Sequence, residues 1–327
     1  MAIIEFTKKG IYCPEGGFYI DPVSPVSHAV ITHGHSDHAR KGHKKYLCAK
    51  KSLQILKHRL GSIQISGVEY AKNITHNGVK ISFHPAGHIF GSAQVRIESK
   101  GEIAVISGDY KLQNDGISTP FEPISCHHFV TECTFGLPIF RWQPQSEIKK
   151  EILKWYNTNL SNGITSILSA YSLGKAQRLI NLLSDEIENM YIHYTIADLN
   201  EVIRKSGGKL PQLPVINPDN PEELEGALLI MPSMAAEANW VKKLKNKDTA
   251  FASGWMQVRG IRRRRNYGRG FVISDHVDWP DLNKAVYATG ASKIYPVHGY
   301  TDVVSQWFRE NNLECPDIQR TPLTREE

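Results

Sequence analysis

The chain has few cysteines and no long apolar run, and each shortage excludes a class of protein. The five cysteines are scattered along 327 residues, and no two of them form a Cys-x-x-Cys pair. This number and spacing exclude a disulfide framework and a zinc site built from thiolates. No uninterrupted apolar run approaches about 20 residues, the length that a membrane-spanning helix needs. We therefore expect no membrane partner.

The N-terminal segment and the composition predict a protein of the cytoplasm. Residues 1–9 carry an acid and several polar side chains where a signal peptide would have its apolar core. A hydrophobic content of 41% and a charged content of 22% are ordinary for a globular protein with a sizeable core. The formal net charge of +6 permits a polyanionic partner without requiring one.

The most informative string of the sequence is THGHSDH at positions 32–38. Imidazole nitrogens and carboxylate oxygens are ligands that zinc and similar borderline metals prefer. At the spacing His-x-His-x-Asp-His, one loop can supply two adjacent metals. His33 and His35 would bind the first ion, and Asp37 and His38 the second. A solvated histidine-rich loop is the alternative interpretation.

Several short apolar segments, which we predict to be strands, end on residues able to bind a metal or transfer a proton. The segments are Ala29–Thr32, Val79–Phe83, Ala104–Ser107, Phe129–Thr131, Phe271–Ser274 and Lys293–Val297. The polar residues that follow five of them are His88, Asp109, Glu132, His276 and His298. Each alone could be structural, but their shared position at strand ends predicts one common pocket. Asp21 either starts a turn or orients a ligand histidine.

From about Gln145 the sequence changes to alternating helices and strands, so the predicted fold class is α/β. The predicted strands are Ile164–Ala170, Met190–Tyr194 and Ala227–Met231, and a helix runs to about Lys205. Further predicted helices are Pro280–Ala288 and Val303–Glu310.

A run of arginines precedes His276. Its members are Arg259, Arg262, Arg263, Arg264, Arg265 and Arg269, in a segment of eleven residues without an acid. Because the planar fork of arginine suits phosphate oxygens, we expect contacts with a nucleic-acid backbone rather than a solvated face. Lys175, with exposed backbone N–H groups where a strand passes into a helix, is a second candidate phosphate contact. A solvated lysine at an ordinary helix start is the alternative there.

Together these motifs resemble those of metallo-β-lactamase-fold nucleases, in the branch that carries an inserted β-CASP domain. The residues that match its four metal motifs in order are Asp21, His33-x-His35-x-Asp37-His38, His88 and Asp109. The residues that match three further motifs of the branch are Glu132, His276 and His298. The resemblance covers nearly the whole chain. The compact length and the segment 252–269 most resemble bacterial ligase-associated DNA exonucleases.

The resemblance implies a fold, a set of ligands and a mechanism. The implied fold is a metallo-β-lactamase αββα sandwich at 1–144 and 269–327, with an inserted α/β β-CASP domain at 145–268. The implied cofactors are two divalent metal ions, zinc or manganese. The first is held by His33, His35 and His88, the second by Asp37, His38 and His298, with Asp109 as the bridge. Asp37, Glu132 and His276 are the implied catalytic residues, and His276 either donates a proton or stabilises charge on the phosphate.

The expected function is metal-dependent hydrolysis of DNA, by an exonuclease that starts from a 5′ end during repair. The expected partner is single-stranded or 5′-phosphorylated DNA, and a DNA ligase and a helicase are implied by the resemblance alone. An RNA-processing nuclease is the first alternative, since His298 in the last motif is typical of RNA-processing members. A small-molecule hydrolase of the lactamase or glyoxalase type would need neither the inserted domain nor the arginines. A non-catalytic nucleic-acid clamp would not need a full ligand set.

Overall fold

The computed structural model describes residues 2–258 and 269–318 of the chain. Contacts divide the chain into two compact units. Unit 1 comprises Met1–Asn114, Ser118–Arg141 and His276–Glu327, and unit 2 comprises Asp115–Ile117 and Trp142–Asp275, as far as these ranges are described. The boundaries thus lie at 141/142 and 275/276, three and seven residues from those that we predict at 144/145 and 268/269. Whether unit 2 is a β-CASP domain stays a prediction.

The described residues form the following strands and helices. The strands are β1 (Glu5–Thr7), β2 (Gly10–Cys13), β3 (Phe18–Ile20), β4 (His28–Ile31), β5 (Lys45–Ala49), β6 (Ile65–Val68), β7 (Ile74–His76), β8 (Val79–Pro85), β9 (Ala93–Ser99), β10 (Glu102–Ile106), β11 (His128–Cys133), β12 (Thr165–Ser169), β13 (Met190–Ile192), β14 (Leu228–Met231), β15 (Lys247–Ala252), β16 (Arg269–Phe271) and β17 (Lys293–Gly299). The helices are α1 (Leu53–Leu60), α2 (Gln145–Ser161), α3 (Lys175–Leu183), α4 (Tyr194–Lys205), α5 (Ser233–Ala236), α6 (Asn239–Lys243), α7 (Trp279–Thr289) and α8 (Thr301–Glu310).

Unit 1 contains two six-stranded sheets. In the first, β1 to β6 lie in chain order, with antiparallel pairs from β1 to β3 and parallel pairs from β3 to β6. The second has the order β17-β11-β10-β9-β8-β7, in which β17, β11 and β10 are parallel and the remaining pairs antiparallel. The parallel strands β4 and β10 are covered on both faces, which explains their nearly continuous apolar sequences.

The apolar faces of the two sheets pack against each other. Ile20 and Val30 of the first sheet share one buried cluster with Ile81, Val95 and Val130 of the second. Helix α1 covers the outer face of the first sheet, and α7 and α8 cover the outer face of the second. Unit 1 is therefore layered as helix, sheet, sheet and helix, with burial of apolar side chains as the main stabilising contribution.

Unit 2 contains a five-stranded parallel sheet with the order β13-β14-β12-β15-β16. Side chains of α2, α3 and α4, including Ile152, Leu179 and Ile196, pack on one face. Leu224 and Val241 pack on the other. The predicted α/β class is confirmed. Within the described residues, no helix is both long and apolar enough to cross a membrane.

Two predicted strands run two or three residues past the ends that the structure shows. The last residue of β16 paired with β15 is Phe271, and the Ile273 N–H then bonds back to the Phe271 carbonyl at 3.1 Å, so the strand does not reach Ser274. The strand from Met190 stops at Ile192 because His193 caps the next helix, where its ring accepts the Thr195 N–H. In the first segment Ile273 is buried beyond the last backbone pair, which is why the apolar pattern overestimates the length of that strand.

Candidate metal centre

The first group of candidate ligands lies in unit 1, at the ends of its strands. Four buried residues each offer one ligand atom, and these atoms lie within 4.8 Å of one another: His33, His35, His88 and Asp109. His88 Nε2 is 3.1 Å from His35 Nδ1. His33 Nε2 is 3.5 Å from Asp109 Oδ2. The three histidines expected on a first metal thus face one point together with the expected bridging carboxylate.

A second group lies directly beside the first. Asp37, His38 and His298 also place one ligand atom each within 4.8 Å of the others. The rings of His38 and His298 stack, with centroids 5.1 Å apart and planes inclined by 27°. Asp109 Oδ2 lies 3.3 Å from His38 Nε2, so this single oxygen is close to both groups. The arrangement offers two adjacent positions for cations, with Asp109 shared between them.

Asp21 orients His38 through its far ring nitrogen. Asp21 Oδ2 lies 2.7 Å from His38 Nδ1 and also accepts the Thr32 hydroxyl at 2.6 Å. Its other oxygen accepts the Thr32 N–H at 2.8 Å. An Nδ1–H donated to this carboxylate leaves Nε2 as the atom that faces the ligand groups. Sequence reasoning missed Thr32, although its place beside the histidine string is a signal that could have found it.

Backbone conformation is unusual at two of these residues. Asp21 has a φ of +43° and His298 has a φ of +53°. Both values lie in the left-handed region, which residues other than glycine rarely adopt. Gly299, which follows at a φ of +101°, could not carry a side chain, because an added Cβ would lie 2.2 Å from the Cys133 carbonyl oxygen. Such conformations cluster at functional sites, where the surrounding packing enforces them.

The electrostatics of the two groups favour positive charge between their carboxylates. Burial by itself lowers the pKa of His38, but the charges of Asp37 and Asp109 outweigh it and hold that pKa well above its usual value. Burial also acts to raise the pKa of Asp109, yet nearby positive charge, led by His38, holds it well below its usual value. Either a proton or a metal cation satisfies this attraction.

The donor set fits divalent cations. Among the described residues, neither His33 Nε2 nor His38 Nε2 has a hydrogen-bond partner, and both atoms are buried. Burial lowers the pKa of His33 well below its usual value, and the positive charge of His38 adds to this effect. Neutral imidazoles and carboxylates at short separations are the ligands that zinc and manganese accept.

A third group contains the candidate proton-transfer pair. His276 Nδ1 lies 2.9 Å from Glu132 Oε2, and both side chains are buried. The Thr134 hydroxyl donates to the same oxygen at 2.7 Å, and the Tyr110 N–H donates to Glu132 Oε1 at 2.8 Å. These donors fix the carboxylate, which in turn fixes the imidazole ring. His276 Nδ1 is also 3.9 Å from Asp109 Oδ2, so the pair borders the ligand groups.

A cavity of about 680 Å³ opens within unit 1 beside the second ligand group. Its lining includes Asp37, His38 and His298 together with apolar residues such as Ile106 and Val130. Space beside candidate metal ligands allows a substrate group or water to approach them.

Lys175 is not the solvated lysine of the alternative interpretation. It is 2% exposed, and its Nζ lies 3.5 Å from Asp275 Oδ1 and 5.1 Å from the centre of the Tyr171 ring. The backbone N–H groups nearby are partly used within the turn, since the N–H of Gly174 bonds to Gln177 Oε1 at 2.6 Å. The expected phosphate contact of Lys175 stays a prediction.

Of the arginine run, the structure describes Arg269 alone. Arg269 is exposed at the start of β16, and its guanidinium lies 5.3 Å from the centre of the Phe271 ring. The predictions for the other members concern residues outside the described part of the chain: Arg259, Arg262, Arg263, Arg264 and Arg265. Their contact with nucleic acid stays a prediction.

Comparison with known proteins gives similarities along most of the chain. It is 27% identical over 312 residues to a "Probable DNA ligase" of Opitutus terrae, a match that spans 94% of this chain and 30% of that protein. It is 27% identical over 124 residues to "Endoribonuclease YSH1" of Saccharomyces cerevisiae, across 37% of this chain and 16% of the relative. The chain thus spans less than a third of the length of either relative. No family model matches it.

A solved structure shares the fold. The crystal structure of a protein of unknown function from Enterococcus faecalis V583 superposes with a TM-score of 0.62 at 12% identity, covering 90% of this chain and 80% of the other. The sequence relatives confirm the resemblance to metallo-β-lactamase-type nucleases of the β-CASP branch.

Proposed function

We propose that the protein is a metal-dependent nuclease with a metallo-β-lactamase αββα sandwich in unit 1 and a β-CASP domain in unit 2. The observation that carries this proposal is the position of Asp109, whose carboxylate lies within one group with His33, His35 and His88 and within another with Glu132 and His276. Candidate metal ligands and a candidate proton-transfer pair thereby share one residue. The helix, sheet, sheet and helix layers of unit 1 support the proposed fold.

The proposed cofactors are two divalent cations, zinc or manganese. His33, His35 and His88 would hold the first and Asp37, His38 and His298 the second, with Asp109 shared. When bound, such ions lower the pKa of a coordinated water toward ~7 and offset negative charge on a phosphate. Asp21 keeps His38 in the tautomer that presents Nε2.

The proposed role of His276 is proton donation to the oxygen that leaves phosphorus. Glu132 accepts from Nδ1, so Nε2 on the opposite side of the ring is the atom that can hold and release a proton. The Glu132 carboxylate also stabilises the protonated imidazole while the proton is held. No side-chain nucleophile is required for this chemistry, and Cys133 is unsuitable, because burial raises the pKa of its thiol well above the usual value.

DNA is the substrate that we favour, cleaved as an exonuclease from a 5′ end during repair. The relative whose similarity spans 94% of the chain is a "Probable DNA ligase" by name, which supports DNA and a pathway shared with a ligase. Exposed Arg269 and the arginines before it would contact the phosphate backbone. RNA is the second candidate, favoured by the placement of His298 in the second ligand group and by the endoribonuclease name of the other relative.

A matched cleavage assay tests the proposal. Purified protein is incubated with single-stranded DNA and RNA of one sequence, each with a 5′-phosphate or a 5′-hydroxyl, in the presence of zinc or manganese. A His35→Ala variant is the control for contaminating nuclease. Short products from 5′-phosphorylated DNA, absent with the variant, are the expected result. Preferential cleavage of RNA would show that the substrate is RNA and not DNA. Cleavage of neither would refute the nuclease proposal.

A further inference from the structure

Lys111 is a buried lysine that the proposed mechanism does not use. It is 2% exposed, and it follows Asp109 by two positions in unit 1. Its Nζ donates a hydrogen bond of 3.2 Å to the backbone carbonyl oxygen of His276, 165 residues further along the chain. A side chain from the segment that carries the shared carboxylate therefore holds the backbone of the candidate proton donor.

The backbone of Lys111 is itself fixed against the turn that carries His88. The Lys111 N–H donates to the Ala86 carbonyl at 3.0 Å. Gly87 approaches the Lys111 carbonyl so closely that an added Cβ would lie 2.2 Å from its oxygen. With its backbone anchored in this way, the Lys111 side chain has a defined starting point from which to reach His276.

Burial of an ammonium group is costly unless polar or charged partners compensate for lost hydration. Part of the compensation comes from Asp281, in the first turn of α7. Burial and the charge of Asp278 raise the pKa of Asp281, and the positive charge of Lys111 acts in the opposite direction. An apolar side chain of similar length would fill this position without that cost, so packing alone does not require the ammonium group.

We infer that Lys111 is a positioning residue for His276: its ammonium group fixes the His276 backbone so that the imidazole meets Glu132 in the geometry that proton transfer needs. The inference rests on the proposed function of this site. Three consecutive residues then organise the centre. Asp109 supplies the shared carboxylate, the Tyr110 N–H holds Glu132, and Lys111 holds His276.

The test is Lys111→Met, which keeps the length of the side chain and removes the donor. Three properties are measured on the full chain: bound metal per protein, kcat and KM for the preferred nucleic acid, and the downfield NMR resonance of the imidazole N–H bonded to Glu132. A His276→Gln variant assigns that resonance. Lys80→Met, which removes an exposed lysine paired with Glu98, is the matched control.

The expected result is a kcat lower by about 10- to 100-fold, because small displacements of a catalytic group are costly, with KM and metal content unchanged. The imidazole resonance should shift or broaden, and the control should match the wild type. Unchanged kcat and resonance would overturn the inference, and so would a loss of metal that accounts for the lower activity.

If the Lys111→Met variant does not fold, the same measurements are made on Lys111→Arg. It keeps the positive charge but cannot place a nitrogen at the position of Nζ, so an intermediate fall in kcat and a displaced resonance are expected. Wild-type values of both would overturn the inference. If the wild-type protein cleaves no nucleic acid, the proposed function fails, and the resonance still decides whether Lys111 positions His276.

Discussion

His38 Nδ1 lies 2.7 Å from Asp21 Oδ2, and this contact joins residues that are 17 positions apart. The contact determines which ring nitrogen of His38 faces Asp37 and Asp109. Since the Thr32 hydroxyl also donates to the same oxygen, the carboxylate is held from both sides. A metal ligand whose tautomer and ring orientation are fixed in advance binds its cation with less loss of entropy.

Replacement of Asp21 by Asn should therefore weaken metal binding. The amide has the shape of the carboxylate but not its charge, and loss of such a supporting group costs about 10- to 100-fold in metal affinity. Titration of the apoprotein with zinc or manganese measures the change. Thr32→Ser, which retains the hydroxyl that donates to Asp21, should bind as the wild type does. Equal affinity of the Asp21→Asn variant would show that the contact does not support the ligand.

Asp37→Ala and His276→Ala should both abolish cleavage, but only the first should change metal content. Asp37 belongs to the second ligand group, whereas His276 is paired with Glu132. Loss of a general acid costs at least about a hundredfold in rate. Elemental analysis and a cleavage assay, run beside exposed His58→Ala, separate the two effects. Turnover near the wild-type value in either variant would refute the role assigned to that residue.

Gly87→Ala should destabilise unit 1 more than Gly78→Ala does. Both glycines have positive φ, +73° and +81° respectively, so both substitutions introduce backbone strain. Only at Gly87 would the new Cβ meet another atom, the Lys111 carbonyl oxygen, whereas nothing lies within 4 Å of it at Gly78. We expect an additional loss of about 1–3 kcal/mol in the free energy of unfolding, typical of overpacking. Denaturation in urea measures it, and equal losses would contradict the close approach.

Neutralising the four arginines at 262–265 should flatten the salt dependence of nucleic-acid binding. Each contact with a phosphate of a single strand contributes about 0.7 to the slope of log K against log salt, so the slope should fall by up to about 3. Binding to an uncleavable oligonucleotide at several salt concentrations measures it. A matched variant lacks four exposed lysines: Lys72, Lys100, Lys150 and Lys205. An unchanged slope in the arginine variant would show that these arginines are solvated and do not contact phosphates.

The α/β class and most strands follow from local pattern, because apolar side chains mark buried strands regardless of what packs on them. The segments before Asp109 and Glu132 were found in this way. The end of β16 was not, since Ile273 packs in the core of unit 2 beyond the last backbone pair. Lys175 shows that local pattern also does not predict the partners of a buried charged side chain. Its place at a helix start allows a phosphate contact or a solvated side chain, and neither interpretation includes the carboxylate 100 residues later that lies beside it in the fold.

Most residues of the site can be identified from the amino-acid sequence without a structure. His33, His35, Asp37 and His38 lie within six residues of the chain, so a single loop carries all four. How distant residues meet this loop depends on the folded arrangement of the chain. Glu132 and His276 are 144 positions apart, and their hydrogen bond, like the reach of Lys111 to the His276 carbonyl, depends on how the strands of unit 1 pair and pack. A local motif shows which ligand groups a short segment carries. Distances between groups far apart in sequence are set by packing.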